Sequence, residues 1–314
     1  MPRPILTLTI NPALDRITTV DHLVFEDRGY IESTTEAAGG RGINAARVLT
    51  SFGAHVIAIT TSGRDVGRKF ETYLQADTFE KEIVKIRNPI RVNMTISDRQ
   101  GLSIKLNERG PVLTPLEQDR VLKATEKHLP GASWLMLCGS IPPSVNPHFY
   151  TKLIELAAKH KVETLLDTDG EALLHGLEAH PTIVKPNQSE AERMMNMALI
   201  TRSQLIDAVQ RIKGLGAKSV VLSLGSRGAV AATSSEGVLE VIPPVIDARC
   251  PIGAGDAMSA AIVWSLEQGD SLGDALRWGV AAGTASAKLP GLELANLEQA
   301  TEIYKQTSLT RVVV

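Results

Sequence analysis

A chain of 314 residues can bury a sizeable core, and its 43% hydrophobic and 22% charged content is that of a globular protein. A formal net charge of -2, without a long run of Lys and Arg, argues against nucleic acid or a membrane surface as the main partner, while Cys138 and Cys250 supply neither a disulfide framework nor a CxxC metal pair. The opening MPRPILTLTINPALD reads as a strand, and no apolar stretch is long enough to span a bilayer, so a cytoplasmic protein is expected.

The run ILTLTI (Ile5 to Ile10) is rich in β-formers, and INAARVLTSFG follows as a helix closed by Gly53. HVIAITT then reads as a strand and RDVGRKFETYLQ as a helix. At Thr114, TPLE combines a capping box with Pro at the first helical position, and this helix extends to about Leu129. Further strand and helix pairs are WLMLCG with NPHFYTKLIELAAKH, VETLLDT with GEALLHGL, and TIVKPN with SEAERMMNM. A helix over SQLIDAVQRIKGLG leads into SVVLSLG, and the extended runs GAVAAT and GVLEVIPP precede a final helical region. Apolar strands alternating with helices predict an α/β fold with a mainly parallel sheet covered on both faces. Ligands of such folds gather at the carboxyl ends of the strands.

Two stretches, Asp15 to Glu36 and Ile90 to Asn107, break the rhythm with strand pairs that lack an intervening helix. In the second, Val92, Met94 and Ile96 alternate with Arg91, Asn93 and Thr95, and a turn falls near Asp98 to Gly101. The two stretches are read as a small β lid over the ligand end of the main sheet. A sheet with one apolar face must cover it, so this lid is expected to pair with another in a homodimer. The core then comprises residues 1–14, 37–89 and 108–314, and the lid residues 15–36 and 90–107.

In DARCPIGAGDAMSAAIVWSLEQG, Gly253, Ala254 and Gly255 precede a helix. Side-chain-free residues at a helix N-terminus form an anion hole, because the amides point outward and the dipole there is positive. Asp256, in the first turn, can accept the proton of an attacking hydroxyl in phosphoryl transfer. The plain alternative is a glycine-ended loop with an aspartate complementing the dipole. AAGGRGINAARVL repeats the device with Gly39, Gly40 and Gly42, and Asn44 offers a polar side chain. Its spacing is neither that of a P-loop nor that of a dinucleotide fingerprint.

In VKPNQSEAE, Asn187 and Glu190 fit a capping box. They equally fit an arrangement of waters around Mg²⁺, with Lys185 at the strand end near phosphates. SLGSRGA is a glycine-rich turn suited to a nucleotide phosphate or to an ordinary hairpin. NPALD puts Asp15 after the first strand, where a carboxylate can bind sugar hydroxyls or cap a turn, and CGSIPPS brings Ser140 to a strand end. Six such signals fall at strand ends on one side of one sheet.

In this order, NPALD, GGRGIN, GSIPP, KPNQSE, SLGSRG, GAGD and GVAAGTASA resemble the PfkB family of ribokinase-like sugar kinases over essentially the whole chain. The nearest branch is that of sugar-phosphate kinases: 1-phosphofructokinase, the second type of 6-phosphofructokinase, and tagatose-6-phosphate kinase. The resemblance implies a three-layer α/β/α ribokinase-like fold with a β lid. It implies Asp256 as the base and Gly253, Ala254 and Gly255 as the anion hole. Asp15, Gly39, Gly40 and Asn44 would hold sugar hydroxyls, and Ser140, Arg91 and Arg28 would reach a phosphate already on the sugar. ATP would lie against Ser223, Gly225, Gly228 and Gly283, with Lys185 near its phosphates and Asn187 and Glu190 organising Mg²⁺ through water.

The sequence departs from the family pattern at three places. Arg41 stands where Lys or Gly is common and is expected near the substrate phosphate. Ser144 replaces a glycine and is expected to tighten its loop. Cys250 and Pro251 replace polar residues, which argues against a monovalent-cation site there. The residues leave three activities open: a ketohexose-monophosphate kinase, a kinase of an unphosphorylated sugar or nucleoside, and a metabolite sensor without catalysis.

Overall fold

The computed structural model describes residues 2–24, 26–100 and 102–312; Gly101, in the turn expected near Asp98, lies outside the described residues. The first third of the chain gives β1 (Ile5–Thr9), β2 (Ala13–Val20), β3 (Ile31–Gly39), α1 (Arg41–Ser51), β4 (Val56–Ser62), α2 (Arg64–Leu74), β5 (Glu80–Lys85), β6 (Arg91–Asp98) and β7 (Ser103–Asn107). The middle gives α3 (Pro115–His128), β8 (Trp134–Cys138), α4 (Phe149–Lys159), β9 (Glu163–Asp167), α5 (Gly170–Glu178), β10 (Ile183–Val184) and α6 (Gln188–Met195). The remainder gives α7 (Arg202–Gly214), β11 (Ser219–Ser223), β12 (Ala229–Thr233), β13 (Gly237–Ile242), α8 (Ala254–Glu267), α9 (Leu272–Ala287), α10 (Leu297–Tyr304) and β14 (Ser308–Val312).

Ten strands form the main sheet in the order β14-β13-β12-β11-β10-β9-β8-β1-β4-β5. From β11 to β5 all neighbours are parallel, and β12, β13 and β14 add an antiparallel edge. The chain leaves β1 through α1 to reach β4 on one side, and leaves β8 through α4 to reach β9 on the other. Right-handed crossovers running in opposite directions place their helices on opposite faces, so α1, α8 and α9 cover one face and α3, α4 and α5 the other. Every residue of β1, β4 and β8 is buried, as a sheet covered on both sides requires. Strand order reverses between β1 and β8, which opens a crevice at their carboxyl ends.

A four-stranded sheet, β3-β2-β6-β7, stands over that crevice. It begins at Ala13 and continues to Gly39, past the bounds read from the sequence, because β2 and β3 stay paired in register down to Ala13 and Gly39. β2 and β6 pair in parallel, which fuses the two hairpin-like stretches into one layer.

Local signals set many of these boundaries. Thr114 and Glu117 form the expected capping box at α3, and Gly53, with φ of 84°, lies just past α1. Beneath the crevice, the buried Tyr150 hydroxyl donates to the Gly139 carbonyl at 3.0 Å, and Thr168 Oγ1 donates to the same oxygen at 2.9 Å, tying the end of β8 to α4 and β9. The Ser144 hydroxyl accepts from the Leu113 amide at 2.8 Å, which anchors the proline loop to the segment before α3.

Candidate active site

At the start of α8, Gly253 has φ of 79°, a conformation that favours glycine, and an added Cβ would meet Leu294 Cδ2 at 2.6 Å. Its carbonyl accepts the first bond of the helix, from the Ala257 amide at 2.9 Å. The amides of Gly255 and Asp256 therefore fall in the turn where a helix has no internal acceptor. The Ala254 amide instead turns back to the Pro251 carbonyl at 3.3 Å, so it is the least available of the three expected donors.

Asp256 lies beside this turn. Burial, joined by the charge of Asp167, pushes its carboxyl up to about 7. Asn44 Nδ2 donates to Asp256 Oδ2 at 2.8 Å, partly opposing that rise. The Asn44 side chain, expected on sugar hydroxyls, thus also reaches the acid through Nδ2, because α1 packs directly against α8.

Under the hole, Lys185 is buried, with Nζ 3.0 Å from Asp167 Oδ2 and 3.8 Å from where a Cβ on Gly255 would stand. Asp167 also accepts from Ser259 Oγ at 2.7 Å and from Arg41 Nη1 at 2.9 Å. Burial pushes the Asp167 carboxyl up, but the Lys185 and Arg41 cations outweigh it and hold its pKa below the usual carboxylate value. Lys185 is therefore an internal counterion at the base of the site.

Arg41 was expected near the sugar phosphate. Its guanidinium pairs with carboxylates, with Nη2 3.3 Å from both Asp169 Oδ2 and Glu190 Oε1, and its charge also acts on Arg91. It lines a cavity of about 1030 Å³ together with Ser223, Gly225, Gly228, Gly255 and Gly283. The volume fits a nucleotide. Gly225 and Gly228 take φ of 61° and 87° around a single 3₁₀ turn, and a Cβ on Gly283 would lie 2.9 Å from the Ala254 carbonyl. Gly283 thus lets α9 approach the start of α8.

The Asn187 and Glu190 capping box is present, with each side chain bonded to the other's backbone amide. Among the described residues, Glu190 Oε1 has only the long contact to Arg41 as a side-chain partner, and Asp169 is partly exposed beside it. This set of hard oxygens fits Mg²⁺ held through a water shell.

On the other side of α8, Asp15 sits where the small sheet meets the crevice. Asn93 Nδ2 donates to its Oδ1 at 2.9 Å, and burial raises its pKa against that bond. A Cβ on Gly39 would stand 1.9 Å from Asp15 Oδ2, so any side chain there would displace Asp15, and Gly40 with φ of 125° turns the chain into α1. Arg91 is close enough for its charge to act on Asp15; its Nη1 donates to the Glu108 carbonyl at 3.2 Å, and among the described residues its buried Nε has no partner. Ser140 Oγ accepts from Asn11 Nδ2 at 3.2 Å. Arg28 is exposed on the segment between β2 and β3, and among the described residues no side-chain contact ties it to this group.

Sequence reasoning missed Asp167, Asp169, Asn11 and Arg47. Asp167 carried a usable signal, a carboxylate ending an apolar strand on the ligand side. The others are placed by contacts between segments remote in the chain.

An acid at a helix N-terminus, set between a nucleotide-sized cavity and a second carboxylate under a small sheet, defines a phosphotransferase of the carbohydrate-kinase class. The family model described as pfkB family carbohydrate kinase matches residues 9–299. The chain belongs to that family. It is 31% identical over 307 residues to the ATP-dependent 6-phosphofructokinase isozyme 2 of Escherichia coli (strain K12), covering 97% of this chain and 99% of that one. It is 29% identical over 283 residues to a 1-phosphofructokinase of Borreliella burgdorferi, covering 90% and 91%. The crystal structure of the phosphofructokinase-2 from Escherichia coli in complex with substrates and products superposes with a TM-score of 0.90 at 31% identity, over 96% of this chain and 98% of that one.

Proposed function

We propose that this protein is an ATP-dependent kinase of a ketohexose monophosphate (fructose 1-phosphate, fructose 6-phosphate or tagatose 6-phosphate), which it converts to the bisphosphate. The observation that carries the reading is the pairing, in one crevice, of Asp15 with Arg91, whose charge acts on it and whose buried Nε has no partner among the described residues. A carboxylate suits sugar hydroxyls, and an uncommitted guanidinium donor suits a phosphate already on the sugar. The two relatives named for phosphofructokinase activity agree with it.

In the proposed mechanism, Asp15, with Gly39 and Gly40 at its back, orients the sugar so that one hydroxyl faces Asp256. Arg91 and Ser140 fix the resident phosphate. The triphosphate lies in the large cavity against Ser223, Gly225, Gly228 and Gly283. Mg²⁺, arranged through water by Asn187 and Glu190, supplies charge neutralisation on the triphosphate when bound. Ionised Asp256 takes the hydroxyl proton as the oxygen attacks in line, and the amides at the start of α8 stabilise the equatorial oxygens of the transferring group. Lys185 and Arg41 keep Asp167 ionised and neutralised, which holds the floor of the site in place.

The small sheet is proposed to close over the sugar with its polar face and to join a second copy with the other. Ile104 and Leu106, 37% and 55% exposed, stand beside Ile96 and Met94 on that apolar face.

The test is a coupled assay with ATP and the three ketohexose phosphates in parallel with fructose and ribose, on wild type and Arg91→Gln. One phosphorylated sugar should dominate, and the variant should lose far more on it than on a neutral sugar. Preference for a neutral sugar would make this an ordinary sugar kinase. Binding without turnover would make it a sensor.

A further inference from the structure

The side-chain amide of Asn44 has one end that suits a carboxylate and one that repels it. Its Nδ2 donates to Asp256, while its Oδ1 lies 3.5 Å from Nη1 of Arg47, three residues further along α1. Arg47 is itself fixed. Its Nε and Nη2 form a fork on the two carboxylate oxygens of Asp77, at 2.9 and 3.0 Å, and Nη1 donates to the Ala38 carbonyl at 2.7 Å. A guanidinium has only donors, so the end of Asn44 that faces it must be the oxygen. Turning the amide over would set N–H against N–H at Arg47 and a carbonyl oxygen against the carboxylate at Asp256.

We propose that the Asp77–Arg47 pair is a positioning device that locks the Asn44 amide with its N–H on Asp256. The pair lines a second cavity beside α1, with side chains 24% and 15% exposed, and the Arg47 charge also acts on Asp15. A half-buried, two-pronged Arg–carboxylate pair holds its geometry firmly. That geometry is a clamp: the anchor on Asp77 leaves one nitrogen of Arg47 to address α1 and the end of β3.

The inference rests on Asp256 being the base, but its readout does not need turnover. The charged and polar groups around Asp256 are Arg41 and Asn44 from α1, Asp167 from β9, and Lys185 following β10. Among the described residues, Asn44 is the one of these that Arg47 contacts.

The experiment follows the Asp256 carboxyl by ¹³C NMR in the unliganded protein, through its titration, in wild type, Arg47→Gln, Asn44→Ala and the double variant. Arg47→Gln should raise the Asp256 pKa by about one unit, a tenfold weaker acid, since the carboxylate then loses an assured donor. In the Asn44→Ala background the same change should add almost nothing. An equal rise in both backgrounds would show that Arg47 acts through its charge alone and would overturn the proposal, as would no rise in either.

Asp77→Asn gives a second view and stands in should Arg47→Gln fold poorly. Removing a negative charge by itself lowers a neighbouring acid's pKa, whereas loosening the clamp raises it. A rise therefore supports positioning, and a fall overturns it. If no sugar is phosphorylated, the proposed reaction fails while these titrations still decide the clamp.

Discussion

Asp256→Asn removes a charge that the folded chain holds at a cost, so it should stabilise the fold. Burial and the nearby Asp167 raise this carboxyl from an ordinary 3.8 to about 7. That rise corresponds to about 4 kcal/mol of preference for the protonated form, a ceiling that relaxation and solvent at the crevice reduce to about 2–4 kcal/mol. The folded state then holds more protons than the unfolded one between the two values. Stability therefore falls as pH rises through this window, and the loss is complete above about 7. Asparagine keeps an oxygen for the Asn44 N–H and carries no charge. Denaturant melts of wild type and variant at pH 5, 6, 7 and 8 should show a gap that widens with pH. At pH 8 the variant should melt about 3–6 °C higher in calorimetry. Turnover of the same sample should be nearly abolished. A variant no more stable at pH 8 than wild type, or a gap that is constant with pH, would refute the account of a strained acid.

Three further outcomes follow from the same geometry. In the proposed reaction Asp256 acts ionised, so kcat/KM should climb through about pH 7 and level off above it, with the sign of a base; a profile that falls across that range would exclude this role. Gly39→Ala places a carbon 1.9 Å from Asp15 Oδ2, so Asp15 must swing away; the sugar KM should rise at least about tenfold, with about 1–3 kcal/mol lost from stability, as read by kinetics and melts. Leu106→Asp on the exposed apolar face of the small sheet should lower the sedimentation coefficient to that of a single chain, while far-ultraviolet circular dichroism stays unchanged.

The alternation of buried strands with capped helices was legible because burial on both faces and capping are local demands. TPLE and PNQSE show this, each being a complete capping box in consecutive residues. β5, over Glu80–Lys85, escaped notice because an edge strand carries charges where a central one carries Val and Leu. β14 was missed for a similar reason, since SLTRV is short and half polar at the end of the chain. Within the site, glycines announce themselves because close approach needs them, as at Gly39 and Gly253. The direction of Arg41 had no local signature. Its three carboxylates come from the end of β9, from two residues beyond it, and from α6, and only the folded sheet gathers them. The reach of Asn44 to Asp256 likewise depends on α1 meeting α8.

The bond between Asn44 and Asp256 joins residues 212 apart in sequence, and Trp264 reaches across the same separation to the Phe52 carbonyl. Contacts of this span form late, because a long loop must close before it is rewarded. A nascent chain still lacking its last quarter has its sugar-side carboxylate, and most of the parallel strands, but not the helix that carries the acid. The helix that carries Asp256 thus joins the other strands and helices only once the final quarter of the chain has been made and docks.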